Sequence, residues 1–186
     1  MTKHVGILGG SFDPPHIAHQ LLALSALSLE PIDELWVVPC ADHPFAKNLS
    51  SFEHRLKMCE LAFSRFQNVK VLDVEKHLPT PNYTVRTLEY FLQQQSDLRL
   101  SFIIGSDVVE QFSTWHESER ILELCEVIVY LREGFEAKIP SSNRILVRSG
   151  MVLPGIKSRE IRAKANGFSF TDTRVAQYIA DKRLYF

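Results

Sequence analysis

Two histidines, His16 and His19, stand three residues apart, downstream of a glycine pair, Gly9 and Gly10, and a proline-stiffened loop from Phe12 to Pro15. Val5 to Leu8 reads as a buried strand, and a helix opens near His16 and continues through HQLLALSALSL. The histidine spacing puts both imidazoles on one face of that helix, near its positive end. Strand, glycine turn and helix N-terminus together make an anion site. Glycines let backbone approach a phosphate, and the first helical N–H groups and the helix dipole point at it.

A second cluster, Gly155-Ile156-Lys157-Ser158-Arg159-Glu160-Ile161-Arg162, sets a hydroxyl and three cations at another helix start. Ser158 reads as its N-cap, and Arg162 lies one turn later on the same side. Such a start suits a triphosphate or a departing pyrophosphate. A further glycine turn, Gly105-Ser106-Asp107, precedes Trp115. An indole there can stack on an aromatic ring for about 1 kcal/mol beyond area burial, or else pack in the core. There is no GxxxxGK[ST] loop, no GxGxxG fingerprint, no His/Cys cluster with zinc spacing, and no GxSxG elbow.

The elements that must carry these residues alternate. After the first helix, which ends around Glu30-Pro31, Glu34 to Pro39 reads as a strand and Cys40 to Leu49 as a polar loop. Ser50 and Glu53 then form a capping box for a helix with Leu56, Cys59, Phe63 and Phe66 at helical spacing. Val69 to Val74 is a third strand, and Thr84 caps the helix carrying Val85, Leu88 and Phe91. Leu100 to Ile104 and Val127 to Leu131 are further strands, separated by a helical pattern interrupted near Ser113-Thr114. Ile145 and Val147 suggest a short edge strand, and Thr171 or Asp172 caps the last helix. This alternation predicts a single α/β domain over residues 1–186, a Rossmann-like doubly wound parallel sheet of about five to six strands with helices on both faces. Ligands in such sheets sit at the carboxyl ends of the strands, near the switch in strand order.

The 186 residues are 45% hydrophobic and 23% charged, with net charge −1. That balance argues against a nucleic-acid or membrane binder held by bulk charge. Three cysteines, without a CxxC pair, read as buried thiols in a reducing compartment. The first strand begins almost at once, no apolar run reaches membrane-span length, and a cytoplasmic location is expected.

GGSFDPPHIAH, Gly9 to His19, resembles the GGxFDPxHxGH signature of the nicotinate-nucleotide adenylyltransferases, with Ala18 where the family usually has glycine. The likeness continues in family order through five weaker segments. Gly155 to Arg162 is similar to ISSTxIR, with Lys157 and Arg159 in place of a serine and a threonine. Lys47 and His54-Arg55 match the loop-and-helix PPHK…HR, although Ala46 replaces the loop histidine. Asn82-Tyr83-Thr84-Val85-Arg86-Thr87-Leu88 resembles SYTxDTL, with Arg86 for aspartate. Ile104-Gly105-Ser106-Asp107 with Trp115 resembles GxD…W, and Arg132 lies where relatives carry an RPG-like turn. Val175 to Tyr185 is similar to the family's closing VxxYI…LY, which is mainly structural.

The resemblance implies transfer of AMP from ATP to nicotinic acid mononucleotide, giving the adenine dinucleotide and pyrophosphate. It implies catalytic roles for His16, His19 and Arg162. It places ATP on Gly9, Gly10, Ser11, Phe12, Lys47, Gly105, Asp107 and Ser158. Tyr83, Thr84, Trp115 and Arg132 would contact the acceptor, with Mg²⁺ carried mainly by the ATP phosphates and no metal site built by the protein. A homo-oligomer is compatible with this reading. An acceptor phosphate is already an anionic nucleophile, so catalysis rests on alignment and charge neutralisation. Two other readings fit the same residues: a transferase using a different phosphorylated acceptor, and a nucleotide-binding regulator without turnover. A purely structural or interaction domain is the third.

Overall fold

Short apolar runs rich in β-formers alternate with helical apolar stripes, and the chain folds accordingly as strand, then helix. The computed structural model describes residues 2–42, 49–135, 138–163 and 167–185. Its strands are β1 (Lys3–Gly10), β2 (Glu34–Pro39), β3 (Val69–Val71), β4 (Leu98–Gly105), β5 (Cys125–Arg132) and β6 (Ile145–Leu153). Its helices are α1 (Ile17–Leu29), α2 (Phe52–Phe63), α3 (Thr84–Gln94), α4 (Ser106–Val109), α5 (Ser118–Leu124), α6 (Ser158–Ala163) and α7 (Thr173–Asp181).

All strand pairs are parallel, in the order β3-β2-β1-β4-β5-β6. This is the doubly wound, Rossmann-like arrangement expected. The order reverses between β1 and β4, which opens a crevice beyond their carboxyl ends. One apolar cluster, including Val5, Ile7, Leu88, Phe102 and Val127, lies on one face of the sheet. A second, including Leu8, Leu22, Met58, Ile128 and Ile179, lies on the other. With both faces covered, the central strands are apolar throughout rather than alternating.

Several local expectations are corrected. Gly9 and Gly10 are the last residues of β1, not the turn, which begins at Ser11. Ser51, not Ser50, caps α2, its hydroxyl accepting from His54 N at 3.4 Å. Ser50 is spent on tertiary contacts, its N–H on Asp13 and its carbonyl on Arg55. The N-cap of α3 is Tyr83, whose carbonyl accepts from Arg86 N at 3.0 Å, and Thr84 is the first helical residue. Strand β3 stops at Val71 because the chain turns into a 3-10 segment, Val74–His77, that buries Val74 and Glu75. β6 is longer than expected, because a register shift opposite Tyr130/Leu131 lets pairing resume at Val152 and Leu153. Asp172 caps α7 by accepting from Arg174 N, as one of the two expected candidates.

Among the described residues, no helix is long and apolar enough to cross a membrane. Cys40, Cys59 and Cys125 are free thiols. Burial pushes Cys59 up, and pushes Cys40 and Cys125 up to about 12, so all three stay protonated and weakly nucleophilic.

Candidate active site

The strand-to-helix turn after β1 is built around a strained aromatic. Phe12 adopts a left-handed backbone at φ 49° and is 1% exposed. A bulky residue holds that conformation only where its surroundings impose it. Its ring meets His19 edge-on at 4.9 Å and Phe63 at 6.4 Å. Phe12 therefore supports the histidine face from below. The glycines beside it need no positive φ. A Cβ on Gly9 would meet only the Phe102 ring, at 3.4 Å, and one on Gly10 the Phe12 ring, at 3.2 Å. Both glycines leave bare backbone along the cavity.

His16 is the N-cap of α1 and His19 its third residue. Their rings stack at 3.7 Å with an interplanar angle of 25°. The His16 main-chain N–H donates to His19 Nδ1 at 3.2 Å. That bond makes Nδ1 an acceptor and assigns the neutral ring's proton to Nε2, leaving Nε2–H as the donor. His16 is 3% exposed, and its Nδ1 is buried without a partner. Burial first, then the nearby Arg132 charge, pushes His16 down to about 3. Burial, His16 and Arg132 hold His19 well below its ordinary value too. The resting pair is neutral.

Arg132, at the end of β5, closes the adjacent side. Its Nη1 donates to Asp107 Oδ2, its Nη2 to the Ile156 carbonyl, and its main-chain N–H to Ser106 Oγ at 2.9 Å. Its Nε is likewise buried without a partner. The pair with Asp107 explains Gly105: a Cβ there would collide with Asp107 Oδ1 and lie 2.7 Å from Arg132 Cδ. Arg132 thus stands beside the histidines, paired with Asp107, and lines the same cavity as Tyr83, Thr84 and Trp115.

α6 docks onto the loop after β1. Ser158 Oγ donates to the Pro14 carbonyl at 2.9 Å, so this hydroxyl ties two loops together rather than capping its own helix. Arg162 Nη1 donates to the Asp13 carbonyl and lies 3.6 Å from Asp13 Oδ2. Lys157 Nζ sits over the Phe135 ring, 4.8 Å from its centroid.

A further wall is aromatic and more exposed. Tyr83 stacks on His116 at 4.1 Å, with the Arg86 guanidinium 5.2 Å from the tyrosine centroid. Trp115 is half-buried, meeting Phe102 at 5.9 Å and Phe112 at 5.5 Å. It follows the short 3-10 segment Phe112–Thr114, which breaks the helical pattern and leaves the indole at the rim. Core packing and cavity lining are both true of it.

A cavity of about 930 Å³ joins these walls, within the size range of small-molecule sites. Every site residue expected from the sequence lines it except Lys47, which, like Ala46, lies outside the described residues. Sequence reasoning missed the buried polar frame. Arg55 is 2% exposed and donates to the carbonyls of Ser11, Cys40, Ala41 and Ser50, clamping the loops after β1 and β2. Glu75 accepts from Ala41 N and Thr87 Oγ1, and Asn82 links Glu75 to Asp42. Burial pushes Glu75 up. The available signal was a charged residue, Arg55, on the same helical stripe as Cys59 and Phe63. Among the described residues no group of three or more His, Cys, Asp or Glu side chains is placed to hold a metal ion.

The cytidylyltransferase-like family matches residues 7–164, which makes the chain a nucleotidyltransferase-type α/β domain of that class. A protein of Anaeromyxobacter dehalogenans (strain 2CP-C), named "Probable nicotinate-nucleotide adenylyltransferase", is 35% identical over 98% of this chain and 97% of its own. The chain belongs to the nicotinate-nucleotide adenylyltransferase family. Its fold is that of the Plasmodium falciparum nicotinic acid mononucleotide adenylyltransferase. The structure complexed with NaAD superposes with a TM-score of 0.82 at 24% identity, over 98% of this chain and 97% of that one. The structure complexed with APC gives 0.79 at 23% identity, over the same shares of the two chains.

Proposed function

We propose that this cavity transfers AMP from ATP to nicotinic acid mononucleotide, forming nicotinic acid adenine dinucleotide and pyrophosphate, a step of NAD biosynthesis. The observation that carries the reading is the stacked pair His16/His19. It is neutral at rest, has one orphaned ring nitrogen, and opens on a cavity flanked by Arg132, Ser158 and Arg162.

The triphosphate lies along the start of α1, where bare glycine backbone, helical N–H groups and the histidine donors converge. The acceptor lies against Tyr83, Thr84 and Trp115, with the pyridine ring on the indole. Its phosphate oxygen attacks the α-phosphorus of ATP. The new O–P bond forms as the bond to the β-phosphate oxygen breaks, and no proton has to leave the nucleophile. The protein's contribution is alignment, plus neutralisation of charge building on the α-phosphate and pyrophosphate. Arg162 and the histidine donors meet that charge, and Lys47 joins them on the family pattern.

The carboxylates nearest the phosphates are committed, Asp13 to Tyr185 and Ser50 and Asp107 to Arg132. Magnesium would accordingly enter with the nucleotide substrate rather than on a carboxylate cage of the protein, as suits a hard cation that keeps its hydration. Pyrophosphate release tests the reading, with ATP, Mg²⁺ and in turn nicotinic acid mononucleotide, its amide form, or phosphopantetheine. Release that depends on the nicotinate form is expected. Release with only another acceptor would keep the chemistry and reassign the substrate.

A further inference from the structure

We infer that Tyr185, on the turn that follows α7, is a positioning residue for Arg162, acting through the buried carboxylate of Asp13. The inference rests on the reading of Arg162 as a phosphate contact.

The chain is steered for this contact. After α7, Arg183 takes a left-handed backbone at φ 50°, and Leu184 N donates back to the Ile179 carbonyl at 3.0 Å. This reverses the chain in the manner of a left-handed helix C-terminus. Tyr185 is itself left-handed at φ 68°, a conformation a tyrosine holds only under tertiary restraint. Its hydroxyl donates to Asp13 Oδ1 at 2.5 Å and lies 3.9 Å from Met58 Sδ. Tyr185 and Asp13 are 172 residues apart in sequence, so no local preference explains the pairing.

Asp13 is 1% exposed, and each of its oxygens accepts a hydrogen bond. Oδ1 accepts from Tyr185, Oδ2 accepts from Ser50 N at 3.2 Å, and Arg162 stands off at 3.6 Å while donating to the Asp13 main-chain carbonyl. A guanidinium beside an unoccupied buried carboxylate would close into a bidentate pair and satisfy its donors there. The Tyr185 and Ser50 donors, one on each oxygen, compete with that closure and hold the ion pair at 3.6 Å. They keep Arg162 close enough to be oriented, yet leave its remaining N–H groups for a phosphate. Removing the tyrosine hydroxyl frees Oδ1, and Arg162 collapses onto Asp13.

The test is ATP affinity, measured by calorimetry without acceptor, alongside steady-state rates. Tyr185→Phe is expected to raise the ATP dissociation constant about tenfold while leaving the acceptor KM within about twofold. In an Arg162→Ala background the same change is expected to have no further effect on ATP, because its route is gone. An unchanged ATP affinity in Tyr185→Phe, or an equal loss in both backgrounds, would overturn the inference. A second readout needs no tyrosine variant. The Tyr185 ring resonances should shift when wild-type protein binds ATP and stay still in Arg162→Ala protein saturated with ATP, and equal shifts in the two would count against the coupling. If Arg162→Ala left ATP affinity intact, the underlying reading of Arg162 would fall. If it weakened ATP while Tyr185→Phe did not, only the positioning role of Tyr185 would.

Discussion

The two walls of the cavity are built on different physics. The donor wall, at the starts of α1 and α6, is made of buried and half-buried polar groups bonded mostly to main chain, Ser158 to Pro14 and His19 to the His16 N–H, and is backed by buried Arg55 of α2, which donates to four carbonyls. The acceptor wall is made of partly exposed rings in contact with others, Tyr83 stacked on His116 and Trp115 packed edge-on and tilted against the buried Phe102 and Phe112. Buried polar networks are costly to disturb, because each lost partner leaves a desolvated group unsatisfied. Exposed ring stacks are each worth about 1 kcal/mol. On the proposed reading the contrast suits the two substrates, with the triphosphate as one fixed anion and the acceptor side setting which base is chosen.

Substitutions on each wall probe this contrast. The largest effect is expected on the donor wall. His19→Ala should lower kcat/KM for ATP by about 10³-fold with a near-native melting temperature, since it removes a preorganised donor from the developing charge. A loss under tenfold would erase the difference between the walls. Gly105→Ala comes next. Its methyl would occupy the space between Asp107 and Arg132, and about a 30-fold fall in kcat/KM is expected from prying apart a charge-assisted pair. On the acceptor wall, Trp115→Ala should raise the acceptor KM about tenfold and leave the ATP KM unchanged. His116→Ala, which unstacks Tyr83, should raise the acceptor KM by roughly threefold.

The smallest effect concerns pH. Both site histidines are held neutral, with His16 near 3 against an ordinary 6.5. They should add no ionisation to kcat/KM for ATP between about pH 6 and pH 8. Their neutrality also sets the sign of their effect on stability. The unfolded chain takes up protons on these rings below 6.5 while the folded chain does not, so their contribution is complete above 6.5 and is lost as pH falls toward about 3. A denaturant midpoint that rose on acidification across that window would contradict their neutrality.

One wall is far more legible in the sequence than the rest of the site. A glycine pair, prolines and two histidines lie within Gly9 to His19, so local chemistry alone points to an anion site, and the parallel sheet follows from the alternation of strands and helices. The frame behind that site is hidden because its partners are remote. Tyr185 meets Asp13 from the other end of the chain, and nothing local marks either residue for the other. Arg55 is marked in the sequence only by the family likeness at His54-Arg55, and the four carbonyls it meets lie in loops that its own helix does not reveal. Ser158 reads as a cap from its place at a helix start, yet its hydroxyl serves Pro14. The caps expected at Ser50 and Thr84 shift by one residue to Ser51 and Tyr83, because tertiary hydrogen bonds and local geometry override the rules for isolated helices. The register shift in β6 has no pattern in Ile145 to Leu153 that would announce it.

The most direct test of the account is to follow ATP labelled at its α-phosphate through one turnover with nicotinic acid mononucleotide. The label should appear in the dinucleotide product, one equivalent for each pyrophosphate released, and His16→Ala should suppress both together. Label that remained in ATP despite bound nucleotide, or that appeared only as AMP, would contradict adenylyl transfer and leave a nucleotide-binding or hydrolytic protein in its place.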